Sequence, residues 1–465
     1  MNPSFRLGLL LPALLLAGCV NLAPNYQQPD APIPQQWPTT ATQSATTELS
    51  GWQQFFLDER LKKVIAQSLS NNRDLRVAAL NVEKARATYR VQRAEQLPTL
   101  TAGVSGTHSR TPASVNGTDS ASTSHQYSAE VGLSSYELDL FGRIRNLSEA
   151  ALEDYLALEE TQRSTQISLV AEVANAWLTL AADRDLLTLA EETLASQQAT
   201  YELQQRSHAL GNTSGLALAQ AQSTVESAKV DVAAYKSQVQ QDINALNLLA
   251  GSVVDESLLP SGLTEDSAEL VQIPAGLPSS LLQRRPDVLA AEHTLKSANA
   301  DIGAARAAFY PTISLTGSAG SSSLALSDLF KGGSGAWSFV PSINVPIFDG
   351  GANQANLDSA KSERDIQLAT YEKTLQTAFS EVADVLAERS TLSDRLDAQQ
   401  ALVKATAKSY ELADALYRNG ASSYLDALDS QRELYSARQS LISLQLTEQS
   451  NRINLYKVLG GGLGE

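Results

Sequence analysis

Tyr127-Ser-Ala-Glu-Val-Gly-Leu-Ser134 alternates apolar and polar residues, and so does Leu100-Thr-Ala-Gly-Val-Ser105. A period of two places the apolar side chains of a β-strand on one face. A Ser/Gly/Thr-rich loop separates the two segments. Strands with one apolar and one polar face are typical of barrels in the outer membrane. The strands of a soluble sandwich alternate too, so alternation alone does not decide between these structures.

A second pair of alternating segments follows about 210 residues later. The first begins at Thr312 and puts Ile313 and Leu315 on the face opposite to its Thr and Ser residues. In the second, alternate apolar residues predict one shared face from Trp337 to Ile347: Trp337, Phe339, Ile343, Val345 and Ile347. Tyr127 and Trp337 adjoin the loops, where interfacial aromatic residues are expected.

The number of strands predicts an oligomer. Four strands cannot close a barrel, and an open sheet edge would leave N–H and C=O groups unpaired in lipid. Two copies would give eight strands, whose interior is filled by side chains, whereas a water-filled conduit needs more. We therefore expect three copies to share one twelve-stranded barrel.

The chain contains a tandem duplication. Asp74, Arg93 and Pro98 have counterparts 213 residues later at Asp287, Arg306 and Pro311. Further along, Glu172-Val-Ala174 matches Glu381-Val-Ala383, and Gly211 matches Gly420, both at an offset of 209. Each copy is predicted to contain a helix, two strands, a very long helix and a further helix. The helices are expected near residues 60–96, 143–210 and 216–249, and again near 286–309, 354–419 and 424–459.

The very long helices point to an extended helical structure. About 67 residues at 1.5 Å each span roughly 100 Å, which exceeds a globular core. Val173, Leu180, Leu187, Leu194 and Tyr201 recur every seven residues, and a seven-residue repeat predicts a coiled-coil seam. This pattern alone would favour a soluble bundle or a tether. Its connection to barrel strands in both copies favours a hollow helical tube.

The N-terminus predicts a lipoprotein. Leu7 to Val20 form an apolar run that is too short to span a bilayer as a helix. The run ends in Leu16-Ala-Gly-Cys19, a lipobox, and Cys19 is the only cysteine of the chain. We therefore expect a signal peptide over 1–18, lipidation (including palmitate) at Cys19, and localisation in the outer membrane. The predicted divisions that follow are an extended segment 19–58, repeat 1 at 59–251, a connector 252–282, repeat 2 at 283–461 and a tail 462–465.

Together these features resemble the outer-membrane factor family of tripartite efflux pumps, the TolC-like channels, and within it the lipidated OprM-type branch of RND multidrug systems. The most specific stretches are Pro274–Asp287, Ile302–Pro311 and Tyr136–Arg143. The resemblance implies a mainly α fold with a small β part: a trimeric β-barrel continued by an α-helical barrel. It also implies a homotrimer in outer-membrane lipid that works with a periplasmic adaptor (membrane fusion) protein and an inner-membrane RND transporter, as a passive exit duct for drugs and other small molecules.

The resemblance assigns functional residues to the two predicted helical hairpins. Their tips are expected to contact the adaptor at Gly211, Asn212, Gly420, Ala421 and Ser422. The segment after the second tip would form a periplasmic gate. Leu425 and Asp429 would narrow the aperture, Asp426 would add a second acidic ring, and the locking contacts are assigned to Tyr417, Arg418 and Arg432. In the first copy Ala217 and Gln220 replace the two Asp residues. An isolated acidic helix face with intrahelical Asp–Arg pairs is the alternative.

Other classes of function find little support in the sequence. The net charge of −16 argues against a nucleic-acid partner. There is no Gly-x-Ser-x-Gly, Gly-x-x-x-x-Gly-Lys or His-Glu-x-x-His motif, so no enzyme, cofactor or metal site is predicted. His108 and His125 are expected in the first hairpin loop, solvated or packed rather than acting as ligands. A duct for type I protein secretion or metal efflux, and a pore-less coiled-coil lipoprotein spacer, remain the alternative functions.

Overall fold

The structure is a computed structural model, and it describes residues 20–34, 37, 51–117, 119–263 and 279–462. These residues divide into two compact units. The first unit comprises Met1–Asp30, Asn81–Leu158 and Ala290–Tyr371. The second comprises Ala31–Leu80, Glu159–Leu289 and Glu372–Glu465. Cys19 and residues 264–278 of the predicted connector lie outside the described residues.

Helices make up most of the described chain. The α-helices are α1 Trp52–Phe55, α2 Glu59–Asn71, α3 Arg73–Ala94, α4 Ala113–Asn116, α5 Arg143–Ala209, α6 Gly215–Ala250, α7 Pro286–Ala307, α8 Ala352–Arg418 and α9 Tyr424–Val458. Short 3₁₀ helices cover Glu256–Leu258, Ser279–Arg284 and Leu326–Asp328. None of the described helices combines the length and the apolar composition needed to cross a bilayer.

The four strands form one antiparallel sheet in the first unit. They are β1 Leu100–Thr111, β2 Ser122–Glu137, β3 Thr312–Ser323 and β4 Gly335–Asn344, in the order β1-β2-β3-β4. The outer strands β1 and β4 therefore each present one unpaired edge within this sheet. All ten residues of β4 are exposed, and so are eleven of the twelve residues of β1.

The register puts apolar side chains on one face of the sheet. Val104 pairs with Ala129, Val131 pairs with Ala319, and Ala319 pairs with Trp337. Because paired residues share a face, this face carries large exposed apolar side chains on β1, β2 and β4: Leu100, Val104, Val131, Trp337, Phe339 and Ile343. Serine and threonine dominate the opposite face, as in the pairs Ser105–Ser128 and Ser318–Ser338. We call the first the apolar face and the second the polar face.

Two details of the predicted strands are wrong. The last strand ends at Asn344, so Val345 and Ile347 lie beyond it; Pro346 has no N–H and cannot donate to a strand ladder. His108 and His125 do not lie in the loop, since β1 extends to Thr111 and β2 begins at Ser122. Both strands continue past the apolar segments because paired Ser and Thr residues tolerate extended backbone there.

The first predicted helix is also wrong, because it is broken into α2 and α3. Asn72 adopts an extended conformation between them, and its Oδ1 accepts hydrogen bonds from the backbone N–H groups of Asp74 (2.9 Å) and Leu75 (3.0 Å). Its amide Nδ2 also donates to the carbonyl of Leu249 (3.0 Å). Asn72 is therefore the N-cap of a new helix, and its contact with the end of α6 fixes the break.

An extended N-terminal segment crosses α7 in the first unit. The backbone carbonyls of Leu22 and Pro24 accept hydrogen bonds from Arg306 (2.9 Å) and Asn299 (2.8 Å). A Cβ at Gly303 would lie 2.8 Å from the Cα of Ala23. The close approach therefore requires glycine at this position of the helix.

The second unit has a core built from both repeats. Trp177 of α5 is fully buried and donates to the carbonyl of Leu258 (3.0 Å). Phe55 stacks on Tyr456 of α9 with ring centroids 4.3 Å apart. Along the heptad series of α5, Val173 and Leu180 are buried completely, while the later members are half-buried.

Two carboxyl groups meet between α5 and α6. Asp242 is buried and accepts from Gln238 (2.9 Å). Burial, a hydrogen bond to Asp242 and the charge of Asp242 together raise the pKa of Asp183 to about 7. The pair therefore holds a proton in the folded chain at pH values where an ordinary aspartate has lost it.

This pair predicts a pH-dependent stability. The pKa of Asp183 rises on folding from 3.8 to about 7. Its contribution to the free energy of unfolding is therefore complete below about pH 4 and is lost as the pH rises through about 7. We expect Asp183→Asn to abolish this loss, because an amide does not ionise. Thermal unfolding between about pH 4 and 8 tests this, with exposed Asp394→Asn as the control. Parallel pH profiles for wild type and Asp183→Asn would refute the shared proton.

Candidate functional site

Two helical hairpins in the second unit carry the predicted site. Each hairpin turn contains a Schellman motif, in which two backbone N–H groups after the helix bond back to carbonyls of its last turn. The first hairpin joins α5 to α6, and its Gly211 has a φ of 77°. The second joins α8 to α9, and its Gly420 has a φ of 70°. Positive φ values of this size favour glycine.

The backbone hydrogen bonds of the two turns correspond. The N–H of Gly211 donates to His208 and that of Asn212 to Ser207, both at 2.9 Å. In the second turn Gly420 donates to Tyr417 and Ala421 to Leu416, again at 2.9 Å. Both turns are therefore tightly hydrogen-bonded, and Gly211, Asn212, Gly420 and Ala421 are exposed while Ser422 is half-buried.

The two hairpins differ in the way their second helices begin. Ser214 caps α6 by accepting from the N–H of Ala217 (3.1 Å). Ser423 caps α9, and Asp426 completes a capping box because its carboxylate accepts from the N–H (3.1 Å) and the hydroxyl (2.9 Å) of Ser423. The Asp426 carboxylate is thus held at the positive end of the helix.

Leu425, Asp429 and Arg432 lie together on an exposed face of α9. Their spacing of four and three residues aligns them along the helix. Asp429 and Arg432 form an ion pair with Oδ1 and Nη1 3.5 Å apart, and about three fifths of each side chain is exposed. Ala427 and Leu428 point into the packed side of the helix.

Tyr417 and Arg418 lie at the end of α8. Arg418 pairs with Asp414 of the same helix at 2.8 Å. The Tyr417 hydroxyl accepts a hydrogen bond from Gln204 of α5, and its ring lies 5.6 Å from that of Tyr424. Burial and the charge of Asp414 raise the pKa of Tyr417. The structure therefore brings Tyr417 to the first hairpin, while Arg418 contacts its own helix.

Polar contacts between the hairpins continue away from the tips. Gln431 donates to Ser196 of α5 (3.2 Å), Tyr435 donates to Asp231 of α6 (3.2 Å), and Gln439 donates to Tyr235 of α6 (3.0 Å). These hydrogen bonds are long-range pairs between the two repeats. They can open and close with little loss of apolar burial, unlike a packed hydrophobic seam.

Three residues near the tip escaped the sequence analysis. They are Gln204, which is fully buried, and the hydrogen-bonded pair Tyr424 and Thr224. The hydrogen bond with Thr224 lowers the pKa of Tyr424, but the burial of Tyr424 has the larger effect and raises it. No sequence signal marks these contacts, because each joins positions about 200 residues apart. The capping role of Asp426 could have been predicted from the sequence, since Ser-x-x-Asp at the start of a helix is a capping-box signature.

The motif Arg285-Pro-Asp287 joins the start of α7 to the middle of α8 and to the end of α9 in the second unit. Arg285 is buried and donates to Asp287 (2.7 Å), to Glu381 of α8 (2.9 Å) and to the carbonyl of Val458 (2.7 Å). These contacts hold its pKa above the ordinary value, against the opposing effect of burial. The motif therefore fixes the relative positions of these helices. Among the described residues, no three His, Cys, Asp or Glu side chains converge on a metal position.

Comparison with known proteins identifies the family. The family model for outer membrane efflux proteins matches residues 64–252 and 277–461. The antibiotic efflux pump outer membrane protein ArpC of Pseudomonas putida is 50% identical over 462 residues, which cover 98% of this chain and 95% of ArpC. The chain belongs to the outer membrane efflux protein family.

Solved structures agree with this membership. A membrane protein from Pseudomonas aeruginosa has a TM-score of 0.90 and 41% identity, covering 95% of this chain and 98% of its own. The open state of the Neisseria gonorrhoeae outer membrane channel MtrE has a TM-score of 0.86 and 39% identity, covering 95% and 98%. The predicted TolC-like fold class is confirmed. The chain is an efflux channel protein of the outer membrane, and its family is one of transport proteins rather than enzymes.

The capping box gives a testable difference between the two acidic residues of the second hairpin. We expect Asp426→Ala to destabilise the first turn of α9 by about 1 kcal/mol, because it removes the partner of Ser423. Hydrogen exchange of the amides in that turn should become about fivefold faster. Asp429→Ala is the matched control, since an exposed ion pair contributes only roughly 0.3 kcal/mol. Equal acceleration in both variants would contradict the assignment.

Proposed function

We propose that this efflux channel protein acts as a homotrimer, the outer-membrane exit duct of a tripartite RND-type pump. Drugs and other small molecules would pass through it passively, driven by an inner-membrane transporter through a periplasmic adaptor. One observation carries the proposal: the sheet has an exposed apolar face, a polar opposite face and two unpaired edges.

The sheet supports the trimer on physical grounds. Trp337 is 80% exposed and Val104 78% exposed on the apolar face, which suits contact with lipid. Unpaired N–H and C=O groups are expensive in lipid, so β1 of one copy would pair with β4 of the next. Twelve strands would then enclose water lined by the polar face.

Lipidation of Cys19 would add an anchor beside the barrel. The next residue, Val20, donates its N–H to the carbonyl of Leu140 at 3.1 Å. Leu140 lies three residues beyond the end of β2. An acyl chain on Cys19 would therefore start close to the end of the sheet, where it can enter the inner leaflet.

The gate would lie at the second hairpin. Threefold symmetry would repeat Leu425 and Asp429 around the aperture, with Arg432 pairing the carboxylates that would otherwise repel each other. Tyr417 would hold the second hairpin to the first through Gln204. Asp426 would add a second acidic ring, although its carboxylate is oriented by Ser423. Arg418 would join the lock only after leaving Asp414.

The hairpin tips would contact the adaptor. Gly211, Asn212, Gly420 and Ala421 are exposed, with Ser422 beside them, and the N–H groups of the first four already donate within the turns. Such a surface can dock a partner without breaking its own hydrogen bonds. The side-chain hydrogen bonds behind the tips could then exchange while the turns stay intact.

The gate is tested by single-channel conductance in planar bilayers. We expect the double variant Asp429→Ala with Arg432→Ala to raise conductance, because it removes the charged contacts that narrow the aperture. The matched control is Glu226→Ala with Lys229→Ala, which removes an equally spaced ion pair of α6. Equal conductance in wild type and in the Asp429/Arg432 variant would overturn the proposed gate.

The substrate class is tested in cells that lack the gene. We expect the loss to raise sensitivity to several unrelated antibiotics severalfold, and the wild-type gene to restore resistance, because a wide polar duct discriminates little between small molecules. Sensitivity to toxic cations and export of proteins are measured in parallel. A defect confined to cations or to protein export would contradict the proposed duct for drugs.

A further inference from the structure

Two histidines face each other at the loop end of the β1–β2 hairpin. His108 and His125 occupy directly opposed positions in the register of the two strands. Their Nδ1 atoms are 2.5 Å apart, and the ring centroids are separated by 4.7 Å. Both residues are exposed. They lie on the apolar face, two positions beyond the pair formed by Gly106 and Tyr127.

Tyr127 limits the position of the His108 imidazole. The Tyr127 ring meets the His108 ring edge to face, with centroids 5.4 Å apart. Gly106 makes room for Tyr127, since a Cβ there would lie 3.3 Å from the tyrosine ring. The tyrosine thus supports one side of the histidine pair, and the other side remains open to water.

The spacing of the two nitrogens suits chelation. A nitrogen lies about 2.0–2.1 Å from a bound Zn²⁺, so two cis ligands at 90° are about 2.9 Å apart and two tetrahedral ligands about 3.4 Å. The observed 2.5 Å therefore needs to widen by about 0.4–0.9 Å. Small rotations of two exposed rings supply this movement without changing the strand pairing.

We propose that His108 and His125 form a two-imidazole site for a divalent transition-metal ion. Imidazole favours Cu²⁺, Ni²⁺ and Zn²⁺, and Cu²⁺ binds most tightly of the three. Water completes the coordination on the open side. The ion ties β1 to β2 next to the loop and so stabilises this end of the hairpin. Arg110 lies two positions away on the same face, and its charge weakens the binding of a cation.

The experiment uses the full-length protein in detergent, purified without a polyhistidine tag and stripped of metal. Cu²⁺ is titrated by calorimetry, and the bound ion is examined by electron paramagnetic resonance. We expect one Cu²⁺ per chain with two coordinating imidazole nitrogens. His108→Ala and His125→Ala should each weaken Cu²⁺ binding at least about tenfold, because each variant leaves a single imidazole where the hairpin holds two side by side.

The chain offers matched controls. His208 is exposed at the end of α5, so His208→Ala removes a histidine from another surface and should leave binding unchanged. Arg110→Ala should tighten binding by removing a like charge. Unfolding curves without metal verify that the variants are folded, and only proteins with His108 and His125 both present should gain thermal stability from Cu²⁺.

Three results would overturn the site: no saturable Cu²⁺ binding by wild type, a spectrum with a single imidazole nitrogen, or equal affinity in wild type and His108→Ala. Each would leave the two rings as a hydrogen-bonded pair only. Channel activity does not enter these readouts, so the result is independent of the proposed duct.

Discussion

The backbone hydrogen bonds of the sheet impose the constraint from which the rest of this structure follows. Four strands pair with one another in the order β1-β2-β3-β4, which leaves one edge of β1 and one edge of β4 unpaired within the sheet. The same sheet exposes large apolar side chains, such as Trp337 and Val104, on one face. An apolar face is favourable in lipid, whereas an unpaired edge is not. Pairing between the edges of neighbouring copies removes the unpaired edges and leaves the apolar face in lipid. It also accounts for a duct that no single chain can enclose.

The sequence predicted the elements well and their interruptions poorly. Alternation located all four strands, and the internal offset of 209 to 213 residues identified the repeated element order, because both signals are local or arise from self-similarity. The break at Asn72 was missed because a carbonyl of Leu249, 177 residues away, fixes it. The strand end at Asn344 was overlooked although Pro346 signals it. The histidines were misplaced because a stretch rich in Ser and Thr suits a loop and an exposed strand equally well.

At the hairpins, the glycines predicted the turns because a positive φ favours that residue. The partners of the proposed gate residues were harder to predict from the sequence. Asp426 is engaged by Ser423 through a local motif that the sequence does display, whereas Tyr417 meets Gln204 across 213 positions. Such contacts depend on how two repeats pack, and periodicity carries no information on that packing. The assignment of Asp429 and Arg432 came from the family resemblance, and the exposed ion pair at 3.5 Å is compatible with it.

The pairing of β1 with β4 of another copy is tested most directly by cross-linking in outer membranes. Thr107→Cys on β1 and Ser338→Cys on β4 place thiols on the polar face of the two edges, and shifts of two residues along either strand sample the register. Each single variant serves as the control, and a short bismaleimide joins the thiols. A barrel shared by three copies predicts cross-linked dimers and trimers in at least one register, with no larger species. Monomers alone in every register, or a ladder beyond three chains, would contradict it.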